Sequence, residues 1–109
     1  MTHKGTASFI AQRASAVFLL LLVGWLVFAI VKMAGAPLEE MRAFLALPVN
    51  AFLAALFIAA SAIHMRIGMN EVIDDYAHGG LRGVWKLLNL FACLGAAALA
   101  FWALFTLAV

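Results

Sequence analysis

Three long stretches of this sequence carry no Asp, Glu, Lys or Arg: Ala14 to Val31, Ala43 to Met65, and Leu87 to Val109. They run for about 18, 23 and 23 residues, and a hydrocarbon core about 30 Å thick needs around 20 helical residues to cross it. Apolar positions in each stretch are continuous and do not alternate, which selects helices over the strands of a barrel. In lipid each crossing segment must satisfy its own backbone, so each stretch predicts a transmembrane helix. The expected fold class is all-α: an integral membrane protein of three transmembrane helices in an up-down-up bundle. Helices are expected over about 13–34, 46–76 and 83–108, in a single transmembrane domain covering residues 1–109.

The joints between the stretches carry their own signals. Pro37 followed by Glu39 and Glu40 suits a helix N-terminus, where proline fits the first turn and the dipole favours negative charge. Leu38, Met41 and Leu45 recur at helical spacing, so a short interfacial helix is expected before the second span, with Pro48 opening the span proper. Gly79-Gly80 is the natural break before the third. Lys4 and Arg13 before the first stretch, and Ala34-Gly35-Ala36 after it, have the look of a secretory signal. The apolar run nevertheless exceeds the roughly 7–15 residues of a signal core, and Pro37 disfavours cleavage. A retained helix is the expectation.

Composition reinforces the pattern. Of 109 residues 68% are hydrophobic and 11% charged, against roughly 25% charged in a soluble domain. The formal charge of +2 does not point to nucleic acid, because the basic residues sit at the ends of apolar runs and are not interleaved with aromatics. Cys93 is the single cysteine, which excludes an internal disulfide and a CxxC site. Inside an apolar stretch it reads as a small buried hydrophobe. Lys4, Arg13, Arg66, Arg82 and Lys86 fall on one side of the membrane; Lys32 and Arg42 fall on the other. The excess places the N-terminus and the loop after the second helix in the cytoplasm, and the C-terminus opposite.

Most of the polar chemistry lies between His64 and His78. On a helix, His64, Gly68, Glu71 and Asp75 fall within about 60° of one face, and Tyr76 lies about 18 Å along the axis from His64. A histidine inside a span is costly and rarely faces lipid. It reads either as an axial ligand for haem iron or as a hydrogen-bonding group for a neighbouring helix. Gly68 has two readings as well: room for a flat macrocycle, or a small residue at a helix contact. Tyr76 can donate to a quinone carbonyl with Asp75 orienting donors or carrying protons, or belong to the aromatic belt. Arg13 reads as an orientation signal, a snorkelling side chain or a partner for Asp75. His78 lies past the apolar span and reads as solvated.

Together these residues resemble a known family. His64-x-x-x-Gly68-Met69, then Val72 and Asp75-Tyr76, resembles the His-x-x-x-Gly…Asp-Tyr signature of the succinate dehydrogenase hydrophobic membrane anchor subunit. Gln12-Arg13-Ala14-Ser15-Ala16 is similar to that family's Arg-x-[Ser/Thr]-Ala segment opening the first helix, and Phe44-Leu45…Pro48 is also similar to these anchors. The resemblance covers essentially the whole chain.

The resemblance implies that His64 is a haem b iron ligand, that Tyr76 stands beside bound ubiquinone, and that Asp75 is its acidic neighbour. Arg13 and Arg66 are expected beside them as cofactor-binding residues; Arg66 departs from the family pattern by putting a charge close to the haem edge, where its guanidinium suits a haem propionate. The implied partners are a second, cytochrome b-type anchor subunit supplying the other ligand, an iron–sulfur subunit and a flavoprotein subunit. The implied location is a bacterial inner membrane. The chain carries no flavin motif, cluster-forming cysteine set or dicarboxylate site, so it cannot be the dehydrogenase by itself. It would contribute to the quinone-reduction site of a respiratory complex. Alternatives are a fumarate reductase anchor, running electrons the other way, and a non-redox membrane protein such as a holin or assembly factor.

Overall fold

A computed structural model describes the backbone from Thr2 to Val109 and the side chains from Gly5 onward; the Lys4 side chain, counted above for orientation, lies outside the described residues. Four helices follow one another: α1 (Thr2–Met33), α2 (Leu38–Ala46), α3 (Pro48–Tyr76) and α4 (Gly80–Ala108). There is no strand among the described residues. α1, α3 and α4 are each long and apolar enough to cross a membrane.

Each break has a local cause. Gly35 ends α1 with φ 76°, a left-handed conformation that glycine adopts without a Cβ clash. Pro37 at φ −63° and ψ 157° starts α2, and its carbonyl accepts from the amides of Glu40 and Met41 at 3.1 and 3.2 Å. Leu47, at ψ 128°, is held out of the helical region by the proline that follows it. Pro48 then occupies the first turn of α3, where its missing N–H costs nothing. Gly79 at φ 65° reverses the chain into α4. The interfacial helix and the α3 start at Pro48 match the sequence pattern. α1 differs: the pattern starts the first helix near residue 13, whereas the helix begins at Thr2. Between Thr2 and Arg13 only Gly5 opposes a helix, so about three further turns form ahead of the apolar run.

α3 is the middle member, packed against α1 on one side and α4 on the other, while α2 lies across the ends of α3 and α4. Pairings run antiparallel along both seams: Ser15 meets His64 and Trp25 meets Asn50, and Asn89 meets Asn70 while Lys86 meets Asp74. That is the up-down-up order. The molecule is 51 Å long. α3 alone has 29 residues, about 43 Å of helix, so it outreaches a 30 Å hydrocarbon core and carries its polar end beyond it.

Few side chains are buried. Leu22, Ala29, Phe44, Ile73 and Cys93 form the apolar core, joined by Ser15 and Asn89. Lipid tails are as apolar as leucine, so helix association here rests on close packing and hydrogen bonds, not on escape from water. The small residues Ala59, Ala60, Ser61, Ala62, Ala96 and Ala97 line the two seams beside α3.

At the end capped by α2, Phe44 is buried and stacks on Trp25 with ring centroids 6.5 Å apart. Asn50 donates to the Phe44 carbonyl at 3.0 Å and accepts from Trp25 Nε1 at 3.4 Å. Arg42 donates to the Thr106 carbonyl at 3.2 Å, satisfying an orphan acceptor in the last turn of α4.

Candidate functional site

The polar chemistry gathers at the opposite end, where the start of α1 and the second half of α3 lie side by side. His64 is half-buried and turned toward α1. Its Nδ1 lies 2.9 Å from the hydroxyl of Ser15, which is itself buried and donates to the Gln12 carbonyl at 3.0 Å. Nε2, the other ring nitrogen, has no hydrogen-bond partner among the described residues. Next to the pair, α1 and α3 enclose an apolar groove of about 340 Å³ bordered by Ala11, Ala14, Phe18, Ala59, Ala60 and Ile63.

One turn along α3, Gly68 also faces α1. A Cβ placed there would stand 3.2 Å from Gln12 Nε2. The Gln12 amide occupies the gap. The predicted stripe of His64, Gly68, Glu71 and Asp75 thus splits, its first half meeting α1 and its second half exposed.

On the α4 side a separate polar network ties the hairpin. Asn89, 9% exposed, donates to the Arg66 carbonyl and to Asn70 Oδ1, both at 2.9 Å. Cys93 is buried, as expected, and its thiol donates to Asn89 Oδ1 at 3.5 Å. Asp74 pairs with Lys86 at 2.7 Å and with Arg82 at 3.8 Å. Arg82 also donates to the carbonyls of Ala77 and Asp74 at 3.2 and 3.3 Å, capping the end of α3.

The remaining predicted residues lie around this end with their side chains outward. Tyr76 is 82% exposed, and Asp75 and Arg66 are exposed too. Arg13 is exposed with its guanidinium 5.2 Å above the Phe9 ring; among the described residues it makes no ion pair with Asp75. His78 is exposed beyond α3, as expected. Of the predicted residues, therefore, the structure gives only His64 a side-chain bond across helices, and that bond is to Ser15. No group of three or more His, Cys, Asp or Glu able to hold a bare metal ion occurs among the described residues.

Sequence reasoning passed over Asn50, Asn70, Asp74 and Asn89, and used Ser15 only as part of a motif. The signal for Asn89 is present in the sequence: it is the single amide of an otherwise apolar span, and such a group must find a partner. Asp74 is also legible, because Arg82 and Lys86, four apart, face back across the Gly79-Gly80 turn.

Comparison with known proteins completes the description. The succinate dehydrogenase hydrophobic membrane anchor subunit of Paracoccus denitrificans is 32% identical over 80 residues, a match covering 73% of this chain and 62% of that protein. The family of succinate dehydrogenase/fumarate reductase transmembrane subunits matches over residues 1–107. A chain matched over nearly its whole length, with three membrane-spanning helices in the expected order, belongs to the succinate dehydrogenase/fumarate reductase transmembrane subunit family.

Proposed function

We propose that this chain is the hydrophobic anchor of a bacterial succinate dehydrogenase, binding haem b and ubiquinone at the His64 end. The carrying observation is His64 itself: an imidazole within a spanning helix, one nitrogen held by Ser15 and the other free. It stands about 18 Å along α3 from the exposed Asp75-Tyr76 pair. The donor set fits haem b, since a half-buried imidazole with an available nitrogen beside an apolar groove is what an axial ligand requires. The second ligand would come from a cytochrome b-type partner subunit, and a haem bound there supplies a one-electron carrier.

The other residues act on the quinone and the haem edge. Electrons from a flavoprotein and an iron–sulfur subunit reach ubiquinone at the cytoplasmic end of α3. Tyr76 donates its phenolic hydrogen to a quinone carbonyl, polarising it as it is reduced. Asp75, exposed beside it, passes protons from water, and full reduction takes two electrons and two protons. The Arg66 and Arg13 guanidiniums match the carboxylate geometry of haem propionates. Support for the orientation comes from the Lys and Arg excess at this end. The family description spans both succinate dehydrogenases and fumarate reductases, so an anchor serving fumarate reduction is the second reading. The name of the Paracoccus relative favours the first.

The test is a reduced-minus-oxidised absorption spectrum of the complex purified through a tag on this chain, beside His64→Ala. A b-type signal in the wild type, lost in the variant while the complex still assembles, is expected. Well-assembled wild-type material without haem overturns the ligand assignment and moves attention to a haem-free anchor or a non-redox protein.

A further inference from the structure

We infer that Ser15 is a positioning residue that fixes the tautomer of His64, holding the proton on Nδ1 and leaving Nε2 as the only ring nitrogen with a free lone pair. The inference rests on the haem reading for its purpose, though not for its geometry.

The assignment follows from counting protons. The Ser15 hydroxyl has one hydrogen to give and two neighbours at bonding distance: the Gln12 carbonyl at 3.0 Å and His64 Nδ1 at 2.9 Å. A carbonyl can only accept. Both contacts are satisfied together only if Ser15 donates to the carbonyl and accepts from a protonated Nδ1. The Gln12 carbonyl, inside α1, already accepts a helix amide. The reverse arrangement gives the hydroxyl hydrogen to Nδ1 and forces the ring proton onto Nε2, which has no hydrogen-bond partner among the described residues, and an unpaired donor is costly in a low-dielectric site. A serine three residues beyond its carbonyl partner on one helix makes this back-bond readily, and Ser15 is 6% exposed, so water does not compete for it. α1 thereby dictates the chemistry of a side chain on α3. A ligating histidine commonly donates its other N–H to a fixed acceptor, which orients the ring and raises its basicity. In this chain that acceptor is a hydroxyl oxygen already committed by its own donated bond.

Two measurements test it, with Ser15→Ala and Ser15→Thr as the variants. The first uses the intact complex from haem-depleted cells, labelled with ¹⁵N-histidine, and reads the His64 ring by nitrogen NMR. A protonated Nδ1 and a bare Nε2 are expected in the wild type and in Ser15→Thr, with the preference lost in Ser15→Ala. A proton on Nε2 in the wild type overturns the inference whether or not haem is ever found. The second is a redox titration of the haem-loaded complex. Loss of the acceptor makes the ligand less basic and disfavours the ferric form, by about tenfold for a shell residue of this kind. That corresponds to an upward shift of about 59 mV for one electron, with Ser15→Thr restoring the wild-type value. An unshifted potential in Ser15→Ala also overturns it. Absence of haem from the wild type defeats the haem reading alone, and the nitrogen spectrum still decides the tautomer.

Discussion

The two ends of the bundle both carry polar and aromatic side chains, and they use them differently. At the α2 end Asn50, Arg42 and Lys32 are consumed inside the chain, while Glu39 and Glu40 on α2 are exposed. Asn50 links Trp25 to the Phe44 carbonyl, Arg42 caps α4, and the Lys32 ammonium lies 5.6 and 5.8 Å over the rings of Phe28 and Phe44. At the other end Ser15–His64 and Asn89–Asn70 pair between helices and the exposed Asp74 pairs with Lys86, while the Gln12 Oε1 is buried with no partner. Asp75, Tyr76, Arg13 and Arg66 instead point outward. A buried polar group without a partner is costly, above all in a membrane. Side chains that spend their polarity within the chain therefore hold the fold. Side chains kept free mark where the chain meets water, a ligand or another subunit.

If that division is right, the largest effects on electron delivery come from residues that hold nothing together. Tyr76→Phe and Asp75→Asn are each expected to lower quinone reduction by the assembled complex on the order of 10²-fold. Oxidation of succinate with an artificial acceptor that bypasses the quinone should be untouched. Both rates falling in parallel would mean that Tyr76 docks the neighbouring subunits, and the division would have to be redrawn.

The converse change lies at the other end. Asn50→Ala removes two side-chain bonds at once, one to Trp25 and one to the Phe44 carbonyl. Hydrogen bonds between membrane helices average about 0.6 kcal/mol each, so the loss is about 1 kcal/mol. It should appear as a lower midpoint in thermal unfolding of the purified complex, with quinone reduction per assembled complex unchanged. A Tyr76-like loss of activity in Asn50→Ala would make the α2 end part of the site.

The fold was largely legible because membranes make simple demands. Uncharged runs long enough to cross, punctuated by Pro37, Pro48 and Gly79-Gly80, define four helices almost without reference to tertiary contacts. What escaped is the polar opening of α1, where no apolar signal exists and helix propensity alone extends the element. The site was legible in part. His64 stands out because a histidine in a span is expensive, and Asp75-Tyr76 because they end the same helix. Ser15 gave no such signal, since a serine in a helix can satisfy itself by bonding back to its own turn. Its second contact depends on how α1 registers against α3, and one-dimensional periodicity does not carry register between helices.

The smallest expected effect sharpens the comparison within the His64 end itself. Gly68 was legible as a gap, and the gap is filled by the Gln12 amide, whose Oε1 is buried with no partner. In Gly68→Ala the new methyl meets the amide nitrogen at 3.2 Å, tighter than ordinary contact. That nitrogen ends a flexible side chain already lacking one bond, so it can swing aside at little cost. Alanine in a helix interior gains about 0.5–1 kcal/mol over glycine, and the two effects should nearly cancel. Thermal stability and haem content of Gly68→Ala are therefore expected to match the wild type. A bulky Gly68→Leu should separate α1 from α3 and loosen the Ser15–His64 bond with it. A selective loss of haem from Gly68→Ala, at unchanged stability, would instead mean that the gap admits the macrocycle and that Gln12 yields to it when haem enters.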